Sequence, residues 1–265
     1  MFKKLAGMAM AICVASTATA AVAGETFDRI MSENKMVVGV APWNGFVAKN
    51  PSTDEFEGLI VDDIKMLSEL TGIQVELVNT TWSGLIAGLQ AGKWDVIMTG
   101  MGATPERAKA VAFTEGWGFL SHVAVVRADS KANSRDDLNQ KGNRIAVVSG
   151  TSAHRFAERV FDKAEVASFS DTGAAVLEVM NGSAAAYLGD SISNTKRAAE
   201  REELRLVEFA ADQTEWNSLN HAVRYEDQDL LLFLNTYIRA MRLRGWYGQL
   251  ADKWSMPASL ATGPN

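Results

Sequence analysis

The chain has little cysteine and little histidine: one Cys, Cys13, and three His, His122, His154 and His221, in 265 residues. A lone thiol closes no disulfide within the chain, and histidines scattered this far apart lack the spacing of a metal site, so neither a disulfide scaffold nor a metal centre is expected. Lys and Arg form no run. With 32 acidic against 26 basic residues the formal net charge is -6, which leaves no basic stripe to displace phosphate counterions, and no nucleic-acid partner is expected. Nucleotide-binding and hydrolase signatures are missing too. There is no Walker lysine loop and no G-x-S-x-G elbow, and Gly100-Met101-Gly102-Ala103 runs into Pro105 where a dinucleotide fingerprint needs its third glycine. No cofactor is expected.

What is present begins with a leader. Lys3 and Lys4 form a basic head, 5–14 is apolar, and a small-residue tail ends in Ala21-Val22-Ala23, the pattern of a secretory signal cleaved after Ala23. Cys13 leaves with it, and Ile12 is too bulky for a lipoprotein cleavage site. The remaining chain carries 24 basic and 32 acidic residues, a net of -8. These features fit an exported, soluble periplasmic protein.

The rest alternates strand and helix. The patterning predicts strands at 36–40, 73–78 and 94–98, a helix within 56–70 stopped by Gly72, a helix at 82–91 closed by Gly92, and a helix start at Thr104-Pro105-Glu106-Arg107. The alternation restarts after Asn133. Here the reading is a strand at 144–148, a turn Gly150-Thr151-Ser152 into a helix, a strand near Val166, a helix at 171–180 ended by Asn181-Gly182, a strand near Ala185, a helix at 193–203 and a strand at 204–209. A helix at 230–241 and a Trp-rich tail carry too much apolar surface to stand alone and are expected to pack back on the first unit. Alternation of this kind specifies α/β units with parallel-rich sheets, and no Pro/Gly/Ser linker separates the two.

Open α/β sheets bind small ligands at the C-terminal ends of their strands, and three loops there carry chemistry. In the first, the glycines of 99–107 let backbone approach a ligand while Arg107 offers a planar fork for a carboxylate; pairing with a surface acid is the alternative. The second, Gly150-Thr151-Ser152, supplies free N–H groups and two hydroxyls for an anion, or simply caps a helix. In the third, 184–190, a strand delivers Asp190 as a ligand for a cation or as a helix cap. Two anion-holding loops and one acid together suit a small zwitterion.

At these loops the sequence resembles the polar amino-acid-binding family of periplasmic solute-binding proteins of ABC importers. The resemblance rests on Phe56-Glu57-Gly58-Leu59-Ile60-Val61-Asp62, on the run from Trp82-Ser83-Gly84-Leu85-Ile86 through Gly92-Lys93-Trp94-Asp95, and on the block from Gly100 through Thr104-Pro105-Glu106-Arg107 to Phe113. It implies a two-lobed periplasmic binding protein fold with two hinge strands, crossing near 118–123 and 208–216. Lobe 1 would comprise 24–119 with 214–265, and lobe 2 would comprise 120–213, after a signal peptide at 1–23. By the same resemblance Arg107, the Gly102 amide, Thr151 and Ser152 would hold the ligand carboxylate. Asp190 and the Gly100 carbonyl would take its ammonium, and Trp43 would cover its side chain.

The chain departs from the family where Gly102 replaces Ser or Thr, where Ala41 stands in place of the acid of cation binders, at Gly116-Trp117, and at Asn220-His221. A cationic side chain is therefore not expected. Trp43, Trp82 and Trp117 could wall a pocket for an apolar, aromatic or methylated-ammonium group, with Trp82 and Trp117 as core residues the other reading. The implied partners are a membrane permease and a small zwitterion, and the protein would act as a monomer. Two alternatives stand beside this: a cyclohexadienyl dehydratase-like enzyme, with Glu115 or Glu215 as its acid, and a ligand-carrying partner of a chemoreceptor.

Overall fold

The computed structural model describes residues 24–263; the expected leader, with Cys13, lies outside the described residues. A helix that the patterning did not reveal, α1 (Glu25–Glu33), comes first, burying only Ile30. Strand β1 (Lys35–Val40) follows, and a hairpin of β2 (Ala48–Lys49) and β3 (Phe56–Glu57) leads to helix α2 (Leu59–Thr71).

The helix expected within 56–70 therefore starts three residues late. Gly58 has φ 132°, and a Cβ there would lie 2.3 Å from the Phe46 carbonyl oxygen, so the chain breaks at this glycine. Its other end is as expected, with Gly72 left-handed at φ 76°. Strand β4 (Gln74–Asn79), a helical turn at Trp82–Gly84, helix α3 (Leu85–Gln90) and strand β5 (Val96–Gly102) complete the first unit.

The helix expected from Thr104 does not propagate. The Thr104 hydroxyl does accept from the Arg107 N–H, but only one turn, Arg107–Lys109, forms before strand β6 (Ala112–Phe113). Val111 and Ala112 are buried, and β6 pairs with a later strand, so tertiary burial overrides a good helix start.

Strand β7 (Gly118–Arg127) is the long element of the middle. After it come α4 (Arg135–Leu138), β8 (Arg144–Val148), α5 (Ser152–Val160), β9 (Glu165–Phe169), α6 (Thr172–Met180), β10 (Ala186–Asp190), α7 (Ser191–Glu200) and β11 (Leu204–Val207). Strand β12 (Trp216–Val223) returns to the first unit, and α8 (Gln228–Leu243), α9 (Trp246–Lys253) and α10 (Ser259–Thr262) end the chain.

The strands run in the order β4-β1-β5-β12-β7-β10-β8-β9, with β1 parallel to β4 and β5, and β8 parallel to β9 and β10. The two halves meet along β7 and β12, where Gly118–Ser121 pairs antiparallel with Leu219–Trp216. Farther along, β7 pairs with β10 and β11. The return crossing is thus the start of β12, later than the 208–216 expected; the stretch before it is a loop.

Each half is a sheet covered on both faces. Along β5, Val96 and Met98 point into a core with α2, α8 and α9, while Ile97 and Met101 point into one with α3. In the other half, Ile145 and Val147 face α5 and Ala146 and Val148 face α6. The C-terminal tail packs on the first half through Leu234, Ile238, Met241, Tyr247 and Leu250, as its apolar content requires. This is the two-lobed α/β architecture.

Candidate functional site

A cavity of about 70 Å³ lies between the halves, lined by the ends of β5, β8 and β10, the start of β12 and the loop after β1. Beyond it a wider cleft of about 960 Å³ opens to solvent, sharing Trp43, Trp82 and Arg197.

Arg107 sits at the cavity wall, 3% exposed. Its Nη1 donates to the Gly102 carbonyl and its Nη2 to the Gly150 carbonyl, both at 2.8 Å, so one guanidinium ties the two halves together. No salt bridge among the described residues reaches it, which answers against the surface-acid alternative. Burial, with Arg155 nearby, brings its pKa down to about 10, and it remains a cation at neutral pH. A buried guanidinium whose only partners are carbonyl oxygens suits a carboxylate brought by a ligand.

Close by, the turn Gly150-Thr151-Ser152 opens α5. The Thr151 hydroxyl accepts from the His154 N–H, a true cap, and Ser152 lies against His122, Oγ to Nε2 at 3.1 Å. His122 is 1% exposed and stacks on Phe156. Burial, with Arg159 and Arg107 nearby, pushes its pKa down to about 4, so the ring is neutral at pH 7. Its Nδ1 has no partner among the described residues.

Across the cavity, Asp190 ends β10 directly opposite His122 in the β7–β10 ladder. Of the two sequence alternatives for it, the helix cap is seen. One oxygen accepts from the Ser193 N–H at 2.7 Å and caps α7, while the other accepts from the Trp43 indole N–H at 3.0 Å. The same indole N–H lies 3.0 Å from the Ser193 hydroxyl. Trp43 comes from the first half, so this is a second tie between the halves; its ring stacks on Phe46 with centroids 3.7 Å apart.

The two glycines act by being small. Gly100 has φ 66°, and a Cβ there would lie 2.7 Å from Trp43; Gly102 is extended backbone, and a Cβ would lie 3.3 Å from the Asn217 Oδ1. Asn217 was not found by sequence reasoning. It is 7% exposed, its Nδ2 has no partner among the described residues, and its carboxamide stands beside the space that the family's Ser or Thr side chain would need.

The aromatic wall is smaller than expected. Trp82 lines the cavity, edge-on to Trp43 at 5.9 Å, with its N–H on the Pro42 carbonyl. Trp117 does not line it. Its ring is 2% exposed and stacks on Tyr247 beneath Gly100, because the apolar tail needs a large side chain to fill that layer. The remaining wall is mixed: Thr172, Tyr187 and Arg197 stand beside Leu120, Val148 and Leu219, where an apolar lining was expected.

Glu115 and Glu215 lie away from the cavity. Glu115 is paired with Arg239, and Glu215 with Arg159. Among the described residues no group of three or more His, Cys, Asp or Glu side chains is placed to hold a metal ion, and no helix is long and apolar enough to cross a membrane.

Residues 36–257 match the profile of the bacterial extracellular solute-binding proteins, family 3. Among curated relatives, the ABC transporter arginine-binding protein 1 of Escherichia coli is 26% identical over 205 residues, 77% of this chain and 83% of that protein. A probable histidine-binding protein of Campylobacter jejuni is 28% identical over 222 residues, 83% of this chain and 84% of its own. Among solved structures, an ancestral amino acid-binding protein described as a precursor of cyclohexadienyl dehydratase is 31% identical with a TM-score of 0.79, covering 86% of this chain and 98% of that one. An ArgBP variant from T. maritima is also 31% identical, with a TM-score of 0.78 over 87% of this chain and 99% of its own.

Proposed function

The chain belongs to the bacterial extracellular solute-binding proteins of family 3, and from that premise we propose that its cavity grips an amino acid by both charged ends. The protein is the amino-acid-binding component of an ABC importer, like the transporter-binding proteins it is similar to. Arg107 takes the carboxylate, helped by the Gly102 amide and by the start of α5 at Thr151 and Ser152, whose partial positive charge favours an anion. Asp190 and the Gly100 carbonyl take the ammonium, and Trp43 and Trp82 cover the rest. The observation that carries this is Arg107: a buried cation with carbonyl partners only, facing the cavity.

The halves act as lobes hinged on β7 and β12, with 24–119 and 214–265 in one and 120–213 in the other, consistent with the separate cores. The chain is delivered to the periplasm by the leader 1–23 and works there as a monomer that hands its ligand to a membrane permease. The role is binding rather than catalysis.

A charge-assisted hydrogen bond contributes roughly 1.5–3 kcal/mol, and Arg107 has room for two to a carboxylate, so Arg107→Ala should weaken amino-acid binding by at least about a hundredfold. Isothermal titration over the common amino acids checks this. Wild-type affinity in the variant would refute the clamp.

A further inference from the structure

Three charged side chains line the cavity between the halves: Arg107, Arg197 and Asp190. An amino acid held by its two ends matches Arg107 and Asp190 and leaves Arg197 over. From this surplus we infer that the ligand is a dicarboxylic amino acid of aspartate or glutamate size, its side-chain carboxylate received by Arg197.

Arg197 projects from α7, is half-buried, and makes no salt bridge among the described residues. Its neighbours fix its position without neutralising it: Nη1 bonds to the Asn194 side-chain oxygen, and the guanidinium lies 5.3 Å from the centre of the Tyr187 ring. A guanidinium has five N–H donors, so most of its capacity remains for a ligand. It borders both the cavity and the outer cleft, where a side chain extending from a clamped α-carbon would point.

The rest of the wall agrees. His122 is neutral, since burial holds its pKa near 4, and adds no charge. The second half turns the N-terminal ends of α5, α6 and α7 toward the cavity through Ser152, Thr172 and Asp190. Those of α6 and α7 are capped by the carboxylates of Asp171 and Asp190, while α5 has no acid in its first turn. The site is therefore net positive, by one full charge from the side chains and by the α5 terminus besides, and an occupant of net charge minus one completes it. Within the cavity a cationic side chain would meet Arg197 with no second acid in the lining to balance it; Asp171 and Glu200 line only the outer cleft, together with Lys49 and Arg201.

This inference rests on the clamp proposed above, and the two can fail separately. L-aspartate, L-glutamate, L-asparagine, L-glutamine and L-arginine are titrated into the full-length mature protein at pH 7, then into Arg197→Gln and Arg107→Ala. One of the two acids should bind at least about tenfold tighter than its own amide, and that preference should shrink to about threefold or less in Arg197→Gln. If an amide or arginine binds as well as the acids, or Arg197→Gln keeps the full preference, the assignment of Arg197 is wrong. The clamp nonetheless stands if Arg107→Ala abolishes that binding. If none of the five binds, the assignment of Arg197 falls, and titration of the other common amino acids decides the clamp. Should Arg197→Gln not fold, the ordering of the five ligands on the unaltered protein decides.

Discussion

Arg107 and Asp190 meet the same need in different ways. The guanidinium rests on carbonyl oxygens and has no carboxylate partner among the described residues, which leaves its charge for the proposed clamp, whereas Asp190 already has local work as the cap of α7. That double duty makes a separable prediction. Asp190→Asn preserves a capping oxygen and removes the charge, so melting should stay close to wild type while amino-acid affinity drops tenfold or more. Asp190→Ala should lose the affinity and also about 0.5–2 kcal/mol of stability. Equal affinity in Asp190→Asn and wild type, by titration, would confine Asp190 to capping.

Asp190 was legible because it follows Gly189 at the end of β10, and Arg107 because it comes in the loop after the glycine-rich end of β5. Asn217 was not, because its place beside Gly102 depends on β12 pairing with β5 across more than a hundred residues of chain, which no local pattern encodes. Trp117 misled for a related reason. An indole reads the same from sequence whether it faces a ligand or Tyr247.

Among the elements, α2, α8 and α9 meet around Asp63, a buried carboxylate. Burial pushes its pKa up to about 6, although bonds from the Tyr237 hydroxyl at 2.7 Å and the Trp246 indole at 2.9 Å favour the charged form. The folded state thus holds this proton more tightly than the unfolded chain, whose carboxyl titrates near 3.8. Asp63 accordingly favours folding below about pH 3.8, and the advantage disappears as pH rises through about 6, by up to about 3 kcal/mol. In Asp63→Asn the group stays neutral. The stability difference between variant and wild type should move in the variant's favour from pH 4 to pH 7, measured by urea unfolding. Parallel pH profiles would contradict it.

Most elements were readable from apolar spacing and their stops, such as Gly72 after α2 and the caps of α5 and α6. Where reading failed, long-range burial had overridden local preference, as at Thr104-Pro105, where β6 cuts the helix short. The first helix, α1, buries a single residue and left little apolar pattern to detect.

For the whole molecule, polar ties join the halves across the cavity, Arg107 to the Gly150 carbonyl and the Trp43 indole to Asp190 and Ser193, and Arg159 pairs with Glu215 nearer the hinge. The second can be removed without removing the ring. Trp43→Phe keeps an aromatic over Phe46 but has no N–H to donate, and a charge-assisted bond contributes roughly 1.5–3 kcal/mol. The ligand-free variant should populate open forms more than wild type, seen as a larger radius of gyration in small-angle scattering, with ligand restoring the compact value. Identical radii without ligand would show that the indole bond does not hold the lobes together.

The two-lobed fold was legible because α/β alternation restarts after Asn133 with no linker between. The position of the return crossing was not, since β12 is fixed by pairing with β5 and β7, whose partner residues lie about a hundred residues away in the chain.

The most direct test is a crystal structure of the protein with an amino acid bound. The α-carboxylate should lie within hydrogen-bonding distance of the Arg107 guanidinium, with the ammonium on Asp190. A ligand bound elsewhere, or with those two ends reversed, would contradict the account.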